Sequence, residues 1–496
     1  MRNRATPVDG GPRLDSGGGS DGSGGRAPSM TDLTFASAHE LAALVRERQV
    51  SASEVLEAHL AHIARHNPAL NAIVTLDESG ARRRASEADA ALARGEVWGP
   101  LHGLPVTIKD ALETSGLRTT AGHPPLASYV PERDATVVAR LRAAGAIVLG
   151  KTNLPQLAAG FQTDGPLLGR ANNPWDTSRT PGGSTGGGAA AVAAGLSPLE
   201  MGSDFGGSIR IPAHFCGVFG LKPTEHRVST AGHIPELPAT GRRVRHMAAV
   251  GPLARSVEDL RLTLSLIEGA DGRNWEVPPA PKDDGPPRPL REYRIAWTDG
   301  FGGVPVSAEI RVALERLALQ LEEAGCRVER CDPPGLDVAA LERAGRAVGG
   351  FEARPELPRP IRVLVRIQTM ATAGDAYIRG LNQRDAFIAR MEEFLSDWDA
   401  WLCPAAAVPA IPHRKPGGKI DVGGQKVAYW AAGAHYAKIF TFTGNPVVAM
   451  PIARSDEGLP IGAQLVGRRW RDNELLNVAA AIAEVTGGFR RPPGYA

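Results

Sequence analysis

The sequence is poor in cysteine, with four among 496 residues and no Cys-x-x-Cys spacing. So small a number argues against the disulfide framework of a secreted scaffold and fits reduced thiols in a cytosolic protein. Cys403 has the chemistry of a nucleophile, but we interpret it as a small buried apolar residue. We therefore expect the reactive groups to be side chains other than cysteine.

Long hydrophobic runs and an excess of one charge are also missing. The most hydrophobic segment, residues 189–196, is too short and too rich in alanine to span a bilayer. The N-terminus lacks the apolar stretch of about 7–15 residues that a secretory signal contains. The 56 basic and 54 acidic residues leave a net charge of +2. We predict a cytoplasmic protein whose main partner is neither a membrane nor a nucleic acid.

The chain divides into a short tail and one long domain. Residues 1–30 are rich in glycine, serine, proline and arginine, and we predict that they are disordered because they can bury little apolar surface. Residues 31–496 alternate apolar β-type runs with helical periodicity. A strand at 106–108, a helix at 135–143 and a strand at 146–149 predict a parallel pair with a right-handed crossover. This alternation predicts an α/β fold around a large, mostly parallel mixed sheet.

Two sequence patterns match binding motifs but lack the local structure that those motifs require. Residues 145–152 fit the phosphate-binding pattern G-x-x-x-x-G-K-[ST], yet residues 146–149 form a continuous apolar strand where that motif needs an irregular loop. His62 and His66 are four residues apart on a predicted helix, but no glutamate follows His62 and Pro68 is expected to end the helix. We predict no nucleotide, no metal and no other cofactor.

Two serines flanked by glycines stand out in residues 179–212. Ser184 lies in Pro-Gly-Gly-Ser-Thr-Gly-Gly, and Ser208 follows Gly-Ser-Asp-Phe-Gly-Gly and precedes a predicted helix. Glycines let the backbone approach another group closely, and N–H groups at a helix start suit a developing oxyanion. Two turns with capping serines are the plain alternative. Lys109, at the tip of an apolar strand, adds a third group of catalytic type.

Together Lys109, Ser184 and Ser208 resemble the amidase signature family, over nearly the whole chain outside the tail. The resemblance implies one α/β/α domain, residues 31–496, around a twisted, mostly parallel mixed sheet. It implies a Ser–cis-Ser–Lys triad in which Ser208 is the nucleophile and Ser184 relays its proton to Lys109. It also implies a cis peptide bond between Gly183 and Ser184.

The resemblance further implies an oxyanion hole and a reaction without cofactor. Its donors would be the backbone N–H groups of Phe205, Gly206, Gly207 and Ser208. Phe205 is bulkier than the residue often found there in the family, so we expect a narrower pocket. Lys222, before a proline in a turn-like stretch, competes with Lys109 for the role of base, and we interpret it as structural or solvated.

The resemblance predicts an amidase that converts a small carboxylic acid amide to acid and ammonia or amine. Two alternatives stay open: the glutaminase component of a glutamyl-tRNA amidotransferase, which would require partner subunits, and an inactive scaffold with the same fold. Residues 420–430 look more like the stand-alone amidases. A homodimer is also left open.

Overall fold

Thirteen β-strands and thirteen α-helices make up the part of the chain that the computed structural model describes, residues 30–234, 244–279, 285–352 and 368–495. The strands are β1 (Ile73–Leu76), β2 (Pro105–Lys109), β3 (Ile147–Thr152), β4 (Leu199–Asp204), β5 (Phe219–Lys222), β6 (Ala249–Ala254), β7 (Arg294–Trp297), β8 (Arg327–Arg330), β9 (Ala400–Pro404), β10 (Lys419–Val422), β11 (Gln425–Ala428), β12 (Val447–Arg454) and β13 (Pro460–Val466). The predicted tail lies outside these residues except for Met30, which begins a helix.

The helices are α1 (Met30–Phe35), α2 (Ala38–Arg46), α3 (Ala52–Leu70), α4 (Glu78–Ala93), α5 (Thr136–Ala143), α6 (Gly186–Ala193), α7 (Arg210–Cys216), α8 (Val257–Ile267), α9 (Ala308–Glu323), α10 (Val338–Glu352), α11 (Gln368–Leu395), α12 (Tyr429–Thr443) and α13 (Asp472–Thr486). Capping boxes start α2 and α3: Ser37 with Glu40 and Ser51 with Glu54 exchange side-chain and backbone hydrogen bonds. None of the described helices is long and apolar enough to cross a membrane.

Eleven strands form one sheet in the order β1-β3-β2-β4-β6-β5-β12-β13-β9-β7-β8, and β10 and β11 form a separate hairpin. The α/β fold with a mixed sheet is confirmed, and β2 and β3 are parallel as predicted. The predicted predominance of parallel strands needs correction. Of the neighbouring strand pairs in the described sheet, six are antiparallel and four are parallel. Parallel pairing is confined to β3-β2-β4 and β9-β7-β8. The middle strands are joined by turns and long connections. The hydrophobic periodicity of the sequence does not indicate which of these strands pair or in which direction.

Two element boundaries also differ from the sequence prediction. Helix α3 continues past Pro68 to Leu70, because a proline in the last turn loses only one hydrogen bond. The apolar run at residues 441–451 predicts a strand, but in the structure it is divided between the end of α12 and the start of β12. Helix α12 is buried on nearly all sides, so it lacks the one-sided apolar stripe that marks a helix in a sequence.

The parallel strands β2 and β4 place the functional region. Both are buried along their whole length and lie side by side within the sheet, with Thr107 paired to Glu200. Because parallel strands end at the same edge, Lys109 at the end of β2 comes close to Ser203 and Asp204 at the end of β4. Helices α6 and α7 begin near this edge, each after a glycine-rich turn.

Candidate active site

Lys109 is fully buried at the end of β2 and is surrounded by hydroxyl groups. Its Nζ lies 2.7 Å from Ser184 Oγ, 3.0 Å from Thr185 Oγ1 and 3.0 Å from Ser203 Oγ. Burial lowers the pKa of Lys109 to about 7, although Asp204 and Glu200 oppose the shift. A lysine whose pKa lies near neutral pH can exchange protons with these hydroxyl groups.

Ser184 lies in the turn that directly precedes α6. The peptide bond between Gly183 and Ser184 is cis, as the resemblance implied. Gly183 fits only as glycine, since a Cβ there would lie 2.8 Å from the Gly160 carbonyl oxygen. Thr185 N–H donates to the Ser208 carbonyl at 3.1 Å, which ties this turn to the second serine loop.

Ser208 lies between β4 and α7 in a loop organised by the Asp204 carboxylate. That carboxylate accepts hydrogen bonds from the N–H groups of Gly207 at 2.8 Å and Ile209 at 3.0 Å. It also accepts two from the Arg210 guanidinium, at 3.0 and 2.9 Å. Burial opposes the ionisation of Asp204, but Arg210 outweighs it and holds the pKa of this carboxyl well below its usual range. The loop is therefore built around a buried ion pair.

Arg210 is itself held by the C-terminal part of the chain. Its guanidinium donates to the Ala437 carbonyl at 2.7 Å, to Thr441 Oγ1 at 2.7 Å and to Gln464 Oε1 at 3.2 Å. Removing one partner of a buried ion pair costs about 3–5 kcal/mol, so this network fixes the Ser208 loop firmly. Sequence reasoning missed the pair, although Asp204 and Arg210 flank the very motif that drew attention to Ser208.

The four predicted oxyanion donors are not equivalent in this structure. The N–H groups of Gly206 and Gly207 point to the Asp204 carboxylate, at 3.2 and 2.8 Å. Asp204 does not bind the N–H groups of Phe205 and Ser208. The assignment of these four N–H groups as oxyanion donors stays a prediction.

Ser184 and Ser208 open onto the same cavity of about 360 Å³. Its wall is mostly apolar, and among the described residues it is formed by Leu157, Ala158, Ala159, Ser184, Ser203, Asp204, Phe205, Ser208, Thr230, His233, Val244, Ala248 and Ala249. Phe205 also lines a second apolar cavity of about 320 Å³, next to Met247 and Lys438. The Phe205 ring thus stands at the boundary between the two spaces.

The other lysines singled out in the sequence have internal roles. Lys151, the lysine of the phosphate-type pattern, is buried in β3 and donates to Leu112, Thr114 and Thr119. Lys222 is buried, so the solvated interpretation was wrong; its Nζ donates to the Pro223 carbonyl at 3.0 Å.

His62 and Cys403 also have positions inside the protein. His62 Nε2 lies 2.8 Å from the Ala194 carbonyl oxygen. Cys403 is buried in β9.

The family model described as Amidase matches residues 54–349 and 350–476. The chain is 34% identical to the glutamyl-tRNA(Gln) amidotransferase A chain of Symbiobacterium thermophilum, covering 91% of this chain and 96% of that protein. It is 34% identical to an acylamidase of Rhodococcus erythropolis, covering 92% and 96%. The solved structure of 6-aminohexanoate cyclic dimer hydrolase with its substrate superposes with a TM-score of 0.78 at 28% identity, covering 93% of this chain and 99% of that one. With the family model matched over most of its length, the chain belongs to the amidase signature family, whose enzymes act on amide C–N bonds.

Proposed function

We propose that the chain hydrolyses small carboxylic acid amides to acid and ammonia or amine through an acyl-enzyme on Ser208. The observation that carries this proposal is the 2.7 Å contact of Lys109 Nζ with Ser184 Oγ, at the wall of the cavity that Ser208 also lines. A serine hydroxyl is a weak nucleophile without a positioned base. Lys109, with its pKa lowered by burial to about 7, supplies such a base at neutral pH.

In acylation, Ser208 loses its proton to Ser184 as Ser184 passes its own proton to Lys109. Ser208 Oγ bonds to the amide carbon, and the carbonyl oxygen takes up the negative charge beside the N–H groups of Phe205 and Ser208. The C–N bond then breaks, and the leaving nitrogen takes a proton from Lys109 by way of Ser184. Water attacks the acyl-enzyme with the same groups as base. No step requires a metal or an organic cofactor.

The proposal is tested without knowing the natural substrate. The protein is treated with a serine-directed fluorophosphonate and weighed intact, and in parallel it is offered a panel of aliphatic and aryl amides with ammonia and amine detection. We expect a single adduct and turnover of at least one amide. A chain that forms no adduct and hydrolyses no amide would behave as the inactive scaffold.

A second candidate function is that of the glutaminase component of a glutamyl-tRNA amidotransferase. The 34% identity to one such protein over nearly the whole chain favours it. Co-purification with two further subunits, together with tRNA-dependent glutamine hydrolysis, would establish this role. Turnover of simple amides by the isolated chain favours the stand-alone amidase.

Activity should rise with pH across neutrality. Lys109 accepts a proton only when it is neutral, so the rate is lost as pH falls through its pKa of about 7 and reaches a plateau above about pH 8. Glu200, whose pKa burial raises to about 7, is another buried group near Lys109 that titrates in this range. The pH profile of kcat/KM for the wild type and Glu200→Gln checks this, since both should keep a rising limb. A flat profile from about pH 6 to 9 would contradict a titrating lysine.

The boundary position of Phe205 predicts a change in substrate size. Phe205→Thr keeps the backbone N–H but removes the ring between the cavities of about 360 and 320 Å³. Amides with bulky acyl groups should gain at least about tenfold in kcat/KM relative to acetamide, because the ring no longer excludes them. Met247→Leu, which changes only the second cavity, serves as the matched control. An unchanged size preference in Phe205→Thr would place the substrate away from this ring.

A further inference from the structure

We propose that His233 is a positioning residue for amide hydrolysis, which accepts a hydrogen bond from the Ser203 hydroxyl and thereby keeps the lone pair of Lys109 directed at Ser184. The inference rests on the proposed function, because only an amidase of this kind uses Lys109 as a base. The role of His233 would be exerted through Ser203, without contact to the reacting amide.

The geometry forms a continuous chain of hydrogen-bonding groups. His233 Nε2 lies 2.9 Å from Ser203 Oγ, and Ser203 Oγ lies 3.0 Å from Lys109 Nζ. Lys109 Nζ in turn lies 2.7 Å from Ser184 Oγ. The imidazole also borders the same cavity as Ser184 and Ser208. A histidine is thus linked to the proposed proton relay through Ser203.

The backbone around His233 is tied to the segment that follows Lys109. The Gly232 carbonyl accepts from Glu113 N–H at 2.9 Å, and Ile234 N–H donates to the Ala111 carbonyl at 2.8 Å. Leu112 and His233 form an isolated antiparallel bridge between them. Because residues 111–113 directly follow β2, the imidazole is held at a fixed position relative to the lysine.

The protonation state of His233 allows its imidazole to accept a hydrogen bond. Enclosure among protein atoms and the neighbouring Lys109 charge lower the pKa of His233 to about 3, so the ring is uncharged at neutral pH. A neutral imidazole has one nitrogen that accepts, and a serine hydroxyl has a single proton to donate. When Nε2 accepts a hydrogen bond from this hydroxyl, Ser203 Oγ presents only lone pairs to Lys109.

This orientation matters in both protonation states of Lys109. The charged ammonium has three protons, and the hydroxyl oxygens of Ser184, Thr185 and Ser203 surround it. Without an acceptor on its far side, Ser203 is free to donate to the lone pair of neutral Lys109. That bond would compete with proton transfer from Ser184 and would favour the unreactive state of the base.

The test is a double-mutant cycle on the full chain, with the best amide from the panel as substrate. His233→Leu should lower kcat by about 10- to 100-fold with little change in KM, as expected when a reacting group is misdirected. His233→Gln, whose side-chain oxygen can accept from Ser203, should recover most of this loss. In a Ser203→Ala background, His233→Leu should have no further effect, because the hydroxyl it directs is gone.

The outcomes separate this inference from the proposed function. Undiminished turnover by Ser208→Ala would overturn both. An inactive Ser208→Ala together with a normal kcat in His233→Leu would overturn the inference alone, and so would losses that add fully in the double variant. His233→Phe, which keeps the ring volume but cannot accept a hydrogen bond, repeats the test if the leucine variant does not fold.

Discussion

Ser208→Ala is expected to abolish amide hydrolysis, with kcat falling by about 10⁴- to 10⁶-fold. The substitution removes the oxygen that would form the acyl-enzyme, and neither Ser184 nor Ser203 lies in the loop that Asp204 and Arg210 organise. Steady-state kinetics with the best amide measure the loss. Intact mass after fluorophosphonate treatment should show the adduct on the native chain and none on the variant.

A matched control separates chemistry from folding. Ser197 is buried, and its hydroxyl donates to the Leu199 carbonyl at 2.8 Å, away from the cavity. Ser197→Ala removes the same hydroxyl group from a serine outside the cavity and should retain turnover and adduct formation. If Ser208→Ala keeps more than about a hundredth of wild-type kcat, the nucleophile lies elsewhere and the mechanism is wrong.

Lys109→Met should cost about 10²- to 10⁴-fold in kcat, the usual contribution of a positioned acid–base group. Methionine fills a similar volume but can neither take the proton of Ser184 nor return one to the leaving nitrogen. The residual activity should also lose the rising limb of the pH profile near 7, because the titrating group is gone. The pH dependence of kcat/KM in the variant tests both statements.

Lys222→Met is the matched control for this second variant. Lys222 is equally buried, and burial brings its pKa to about 7 as well, but among the described residues its ammonium donates to the Pro223 carbonyl and not to a serine of the site. Its replacement should leave the pH profile in place. A profile that flattens in Lys222→Met and persists in Lys109→Met would exchange the roles of the two lysines.

The sequence was sufficient to single out the candidate residues Lys109, Ser184 and Ser208, because their signals are local. Glycine-rich turns around Ser184 and Ser208 can be identified within a few residues, and the apolar strand that buries Lys109 is visible in the sequence. The family membership and the α/β fold that these signals predicted are confirmed, and so is the cis bond before Ser184. The catalytic roles of the three residues stay predictions.

What the sequence could not predict depends on contacts between distant segments. Arg210 finds acceptors on α12 and β13, more than 200 residues away, and no pattern near Arg210 announces them. His233 is a single histidine in a turn, with nothing in its neighbours to connect it to Ser203. The directions of the central strands were missed for the same reason, since pairing of β5 with β12 is not encoded in either strand alone.

That pairing of β5 with β12 has a consequence for biosynthesis. Roughly 220 residues separate the two strands, which corresponds to about 11–45 s of translation at about 5–20 residues per second. Through this interval β5 remains an edge strand, and Arg210 lacks its acceptors on α12 and β13. The nascent chain therefore carries all three proposed catalytic side chains well before their support exists, so a ribosome that stalls early releases a polypeptide without a formed nucleophile loop.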